Sequence, residues 1–318
     1  MTSLYLGSAG VVWALHRLGS TIDLPAVVER ALERYRAEPD FGDYAHPPSL
    51  WMGEAGLLVV AALVGSAAAD PVRLRGLIRQ NRTHTTWELM WGSPGSLLAA
   101  KACGLEEEWR DAALPLWERW DAVTDLWTQE LYGRVAQILG PAHGFAGNAH
   151  ALRGYVTDEQ LCGRIGRALE ATAVHEGELV NWPPSAAPID GLDFPIRVQW
   201  CHGAPGIVAT LGDLMPQDLA TAASELVWRA GPLAKGPSLC HGTAGNGYAF
   251  LKMLEISGDE RWLERARAFA MHAIEQIERE RSGVGRGRYT LWTGDVGTAL
   301  YLNVCVEIDA AVPTIDFW

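Results

Sequence analysis

The sequence predicts an all-α fold: a closed α/α toroid, or double helical barrel, with seven inner helices ringed by outer ones. Two observations carry this reading. A unit made of an apolar lead-in, Gly-x-x-Gly and an apolar helical stretch occurs seven times, with first glycines Gly7, Gly53, Gly92, Gly144, Gly203, Gly242 and Gly294. Between the units lie stretches with apolar residues at helical spacing and charged residues on the other face. Self-similarity at intervals of 39 to 59 residues marks a repeat architecture. No strand pattern recurs.

In chain order, the inner helices open at YLGSAGVVWAL from Tyr5, WMGEAGLLVVAAL from Trp51, MWGSPGSLLAA from Met90 and AHGFAGNAHAL from Ala142. They continue with WCHGAPGIVATL from Trp200, LCHGTAGNGYAFL from Leu239 and WTGDVGTALYL from Trp292. These stretches are apolar nearly all round, which predicts burial. The outer helices are expected over Pro25–Arg36 and Pro71–Gln80, each opening on proline, a favoured first helical residue. Four more are expected over Leu105–Trp120, Asp158–Val174, Pro216–Arg229 and Asp259–Glu280. No outer helix precedes the first inner one, so the spacing predicts six outer helices and a gap, or a place filled by another chain. An open solenoid of helix hairpins is the alternative; it would leave the apolar inner helices exposed.

In a toroid all inner helices run the same way, and their N-termini share one mouth. Each brings unpaired N–H groups and a partial positive charge, which favour anions such as a thiolate or an enolate. The residues just before each Gly-x-x-Gly line that mouth, and three repeats place reactive groups there: His143 in the fourth, Cys201-His202 in the fifth and Cys240-His241 in the sixth. Cys201 and Cys240 hold the same register in consecutive repeats, so they are expected side by side, with His241 next to Cys240. Two thiolates and an imidazole suit zinc and leave a fourth tetrahedral position open. His202 is expected to line the channel beside them. Cys103, Cys162 and Cys305 are off register and read as core or surface thiols.

The 318 residues carry 26 basic and 38 acidic groups, a net charge of −12, and have no basic run, which argues against nucleic acid or an anionic membrane surface as partner. No apolar stretch is long enough for a membrane span. The five cysteines are odd in number, and no secretory signal opens the chain, which predicts reduced thiols and a cytoplasmic protein.

The runs Gln199-Trp200-Cys201-His202-Gly203-Ala204-Pro205-Gly206 and Leu239-Cys240-His241-Gly242-Thr243-Ala244-Gly245-Asn246, with Ala142-His143-Gly144, resemble the lanthionine synthetase C family, in particular its eukaryotic-type LanC-like branch. The resemblance covers essentially the whole chain and implies one α/α toroid domain over residues 1–318. It implies zinc held by Cys201, Cys240 and His241, and His143 as general acid or base. Arg197 matches the Arg-x-x-Trp-Cys segment of the cyclases. Glu88 stands four residues before Gly92, where those enzymes have a catalytic aspartate, and His202 stands where some have tyrosine. The implied reaction is Michael addition of a cysteine thiolate, from a peptide or from glutathione, to dehydroalanine or dehydrobutyrine, giving a thioether as in lanthipeptide biosynthesis. The interval from Gly7 to Gly53 leaves no room for the leader-binding module that lantibiotic cyclases insert.

Other readings stand beside these. The toroid and zinc would also serve a non-catalytic binding protein, and Glu54, Glu88 or Asp295 would suit a carboxylate-based α/α-barrel enzyme. Residue by residue, His143 could cap its helix turn, Glu88 could be a carboxylate favoured by the helix dipole, and Arg197 could pair with Asp190 or Asp193. Trp200 would shield the metal, and the Trp87/Trp91 and Trp117/Trp120 pairs would sit in the core. The stretch from Asn181 to Pro188, with two consecutive prolines, reads as a rigid loop over the mouth.

Overall fold

A computed structural model describes residues 1–189 and 194–316. The inner ring consists of α1 (Ser8–Arg17), α3 (Glu54–Leu63), α5 (Ser93–Ala102), α7 (Phe145–Ala151), α9 (Ala204–Leu211), α11 (Thr243–Ser257) and α13 (Asp295–Glu307). The outer ring consists of α2 (Leu24–Ala37), α4 (Pro71–Asn81), α6 (Glu106–Glu118), α8 (Asp158–Thr172), α10 (Gln217–Ala230) and α12 (Arg261–Val284). Each inner helix packs on the next, and α13 packs on α1, so the ring is closed. Among the described residues there are thus seven inner and six outer helices, as the repeat count predicts.

The first glycine of every repeat is the N-cap of its inner helix. The second glycine has a steric reason. A Cβ on Gly206 would lie 1.7 Å from the Trp200 carbonyl oxygen, and one on Gly245 would lie 1.7 Å from that of Leu239. The same close approach, to the carbonyl six residues back, recurs at the second glycine of the other five repeats. Any larger residue would push the preceding loop out of the mouth. Three of the six outer helices start on polar caps: Asp23 accepts from Ala26 N–H, Asp70 from Arg73 N–H, and Thr157 forms a capping box with Gln160.

A belt of backbone hydrogen bonds joins the mouth loops. Cys201 N–H donates to Cys240 O (3.0 Å), Cys240 N–H to Trp292 O (2.8 Å), Trp292 N–H to Tyr5 O (3.3 Å) and Tyr5 N–H to Trp51 O (2.9 Å). All five residues stand two before the first glycine of their repeat. Behind the belt the axis is filled with aromatic rings: Trp292 lies 4.8 Å from Trp51 and 4.5 Å from Trp200, centroid to centroid, and stacks on Tyr5 at 5.9 Å. Such pairs add ~0.5–1.5 kcal/mol each beyond the area they bury. Outside, buried carboxylates tie the helices together. Glu54 bonds Arg36 of α2 (2.9 Å) and Arg73 of α4 (2.8 Å), and Glu108 of α6 bonds Arg75 (2.9 Å) and Arg79 (2.7 Å) of α4.

Four short strands depart from the expected strand-free chain. β1 (Gln129–Leu131) pairs antiparallel with β2 (Arg134–Ala136), and β3 (Val174–Glu176) with β4 (Leu179–Asn181). The expected Asp158–Val174 helix stops at Thr172 because Val174 starts β3. The expected Asp259–Glu280 helix runs instead from Arg261 to Val284 and ends on Gly285 in the left-handed region (φ +76°). Among the described residues, no helix is long and apolar enough to cross a membrane.

Candidate metal centre and its cleft

The loops before α9 and α11 bring Cys201, Cys240 and His241 together, with one ligand atom of each within 4.8 Å of the others. Both cysteines are buried and His241 is half-buried. The Cys201–Cys240 backbone bond explains the juxtaposition: equal register in adjacent repeats makes the two loops neighbours in the belt. The two sulfurs share a hydrogen bond. It draws the Cys201 thiol well below its ordinary pKa, helped by His241, while the same bond and burial push Cys240 up. Two thiols beside an imidazole, close enough for one ion to replace their protons, are donor chemistry that suits zinc. The residues present therefore fit a three-ligand Cys2His metal site of the kind that suits zinc.

Groups around the sulfurs complete the centre. Gln199 Nε2 donates to Cys201 Sγ (3.0 Å), and Lys235 Nζ donates to Gln199 Oε1 (3.0 Å). The Tyr5 hydroxyl bonds the Cys240 thiol, and burial raises the Tyr5 pKa well above its ordinary value. Sequence reasoning assigned no role to Tyr5, Gln199 or Lys235. The signal for Tyr5 was available: it holds in the first repeat the position that Cys201 and Cys240 hold in theirs.

His143 and Glu88, 55 residues apart in sequence, form a pair on the next part of the rim. His143 Nδ1 lies 2.9 Å from Glu88 Oε2. The Glu88 carboxylate is fully buried and also accepts from the backbone N–H of Met90 (3.0 Å) and Trp91 (2.5 Å). Burial opposes the charged imidazole, but the hydrogen bond and charge of Glu88 outweigh it, and the His143 pKa is raised. His202 lies nearly parallel to His143, ring centroids 6.2 Å apart. Its Nδ1 is buried with no hydrogen-bond partner, and burial lowers its pKa.

Both histidines and Arg197 line a cleft of about 230 Å³ with Leu131, Tyr132 and Ile138. Pro184 forms part of its wall, so the proline-containing stretch does border the mouth. Asp190 and Asp193, the carboxylates expected beside Arg197, lie outside the described residues. Glu54 faces its two arginines, and Asp295 accepts from Arg288 N–H (3.2 Å). A larger open groove of about 760 Å³ between β3–β4 and α10 is lined by Glu176, Glu178, Asp218 and Glu225 and carries none of these groups. Trp91, expected in the core with Trp87, is only partly buried, and its indole N–H reaches the cleft rim at the Tyr132 hydroxyl (3.0 Å).

The sequence profile described as "Lanthionine synthetase C-like protein" matches residues 1–316. The chain belongs to the lanthionine synthetase C-like family. Among curated relatives, this LanC-like chain is 33% identical over 153 residues to "Glutathione S-transferase LANCL1" of Danio rerio, covering 45% of this chain and 36% of the relative. It is 32% identical over 192 residues to "LanC-like protein GCL1" of Arabidopsis thaliana, covering 55% and 42%. The matched region thus spans about two fifths of the length of these relatives. Among solved structures, "Nisin cyclase" superposes with a TM-score of 0.66 over 95% of this chain and 88% of that one. At 16% identity that likeness speaks to the fold, the α/α toroid.

Proposed function

We propose that this LanC-like chain forms thioethers by adding a thiolate to a dehydroamino acid. The observation that supports it most is the meeting of Cys201, Cys240 and His241, with His202, next in sequence to Cys201, and the Glu88-bonded His143 lining the neighbouring cleft. A zinc ion held by the three ligands would supply the Lewis acidity that keeps a cysteine or glutathione thiol deprotonated near neutral pH. The other tasks fall to the chain's own groups. Glu88 holds the Nδ1 side of His143, which leaves Nε2 to exchange a proton at the cleft. Arg197 and the N-terminal N–H groups of the inner helices favour the enolate that develops on the electrophile's carbonyl. His202 lines the wall between the sulfur ligands and His143.

The balance is simple. A C–S bond forms at the β-carbon of dehydroalanine or dehydrobutyrine, the C=C pair moves to the enolate, the α-carbon takes a proton from His143, and the proton given up by the thiol restores the histidine, directly or through water. No redox partner or leaving group is needed. The thiol comes from a cysteine of the same peptide or from glutathione. A cytoplasmic setting, where thiols stay reduced, goes with this reading.

The test is to incubate the zinc-loaded protein with dehydroalanine peptides and either a tethered cysteine or glutathione, and to follow the product by mass spectrometry. Thioether formation that is lost in Cys240→Ala supports the reading. Stoichiometric zinc with no thioether from either thiol would favour a non-catalytic binding protein.

A further inference from the structure

The cleft beside His143 ends in an apolar recess closed by the β1–β2 hairpin. Leu131, Ala136 and Ile138 form one side, and Ile189 packs with them. The whole cleft, recess included, measures about 230 Å³, below the ~300–1,000 Å³ of sites that enclose a whole drug-sized ligand. The recess suits one large side chain. The base of the hairpin is fastened to the catalytic rim: Gln129 Nε2 donates to the carbonyls of Thr86 and Trp87 (both 3.1 Å) and to that of His143. Gln129 Oε1 in turn accepts from Ile138 N–H (2.9 Å).

The tip is unusual in composition. Tyr132 (φ +52°) and Gly133 (φ +73°) make a two-residue turn of the type in which Asn-Gly is the ordinary pair. A tyrosine in the left-handed region is conformationally unfavourable, so its ring has a use that an asparagine would not serve. That ring is held edge-on to His143 at 6.1 Å, and its hydroxyl accepts from Trp91 Nε1–H (3.0 Å). It is nevertheless 70% exposed, and Phe194 across the cleft is 40% exposed. Exposed aromatic groups around a recess beside a reactive histidine form a surface that a ligand covers.

We propose that this recess is a specificity subsite for a bulky apolar side chain next to the dehydroamino acid of a peptide substrate, with Tyr132 as its rim. The proposal rests on the thioether-forming reading for the identity of the reacting residue. The recess opens on His143, the side on which the electrophile is protonated, so its occupant belongs to the dehydro peptide and not to the thiol donor. Arg197 at the edge then lies beside the peptide's carbonyl.

The experiment uses the zinc-loaded full chain and dehydroalanine peptides that differ only in the flanking residue, Leu, Phe, Gly or Asp. The expected preference in kcat/KM for Leu or Phe over Asp is about tenfold or more. Tyr132→Asn suits the turn and preserves the hairpin, and it should bring that ratio to within about threefold of unity. Val135→Asn, on the same hairpin but outside the cleft, should retain the preference. Binding is read separately, by fluorescence anisotropy of labelled peptides carrying alanine in place of dehydroalanine; the Leu peptide should bind more tightly than the Asp peptide, and Tyr132→Asn should erase the difference.

Thioether formation with no flank preference overturns the subsite and leaves the reaction standing. A binding preference sensitive to Tyr132 with no thioether from any peptide removes the reaction and supports the recess as a peptide subsite. If Tyr132→Asn changes the sedimentation coefficient and not the preference, the rim is an interface between copies and the proposal falls.

Discussion

Replacing Glu88 by glutamine tests the electrostatic logic of the rim. The carboxylate accepts three hydrogen bonds, from Met90 N–H, Trp91 N–H and His143 Nδ1, and donates none. Glutamine has the same shape but one oxygen. With that oxygen towards Met90 and His143, its NH2 meets the Trp91 N–H; turned over, it meets Met90 and His143. Either way a buried donor is orphaned, which costs about 1–3 kcal/mol. A second loss depends on pH. The folded His143 pKa is raised above 6.5, so the pair stabilises the fold fully below the unfolded value, and the contribution disappears as pH rises through the folded one. In Glu88→Gln the burial that opposes the imidazolium is no longer outweighed, so folding there is penalised at acid pH. The metal-free variant should therefore melt roughly 2–8 °C below wild type at about pH 8.5, with a wider gap at about pH 5.5. Calorimetry of both proteins with chelator present reads this directly. An equal gap at the two pH values, or a wider one at pH 8.5, refutes the assignment of a charged Glu88–His143 pair.

Three further outcomes are expected. Cys240→Ala should abolish zinc binding, measured by elemental analysis, while circular dichroism keeps most of its helical signal; loss of folding together with the metal would make the site structural and defeat the open-site reading. Gly245→Ala drives a methyl into the Leu239 carbonyl next to Cys240, at 1.7 Å, whereas metal sites tolerate only about 0.2 Å. Zinc affinity in a chelator competition should fall at least tenfold, and unchanged affinity would show that the loop moves freely. His143→Ala should retain zinc and lose about 10²–10⁴-fold in thiol addition to a dehydroalanine peptide; an unaltered rate removes His143 from the chemistry.

The inner helices were legible because each begins with the same backbone problem and the same solution. A chain that must pass within contact of its own earlier carbonyl needs glycine at that point, and the need recurs in all seven repeats. The outer helices were legible from amphipathic spacing, with ends displaced by a few residues where Val174 entered a strand or Gly285 stopped a longer helix. The hairpins escaped because three-residue strands carry no period. Tyr132-Gly133 is also not a turn pair that propensity singles out.

At the centre, the shared register of Cys201 and Cys240 was enough to place two of the three candidate ligands together. The Glu88–His143 contact was not readable as a contact: each residue was singled out by its place before a glycine, but nothing in a single sequence says which rim positions touch. The hydrogen bonds of Gln199 and Tyr5 to the sulfurs, and of Lys235 to Gln199, were missed for the same reason. Tyr5 alone could have been found, by extending the register argument from the fifth and sixth repeats back to the first.

Because α13 packs on α1 and Trp292 bonds Tyr5 across the seam, the number of repeats in this molecule is not adjustable. An open solenoid grows or shrinks by duplicating a unit, since each unit meets only its neighbours. Here an added or deleted hairpin would change the circumference, part the belt and uncover the tryptophans on the axis. Variation is left one route: insertions between staves, at the edge of the ring. The β1–β2 hairpin and the segment around Pro184 lie in such connections between staves, and both stand at the cleft. The geometry that forbids change in the number of units thus directs novelty to the place where a ligand would be discriminated, so descendants of this architecture are free to diverge in what they accept while the ring that holds the cysteines stays the same.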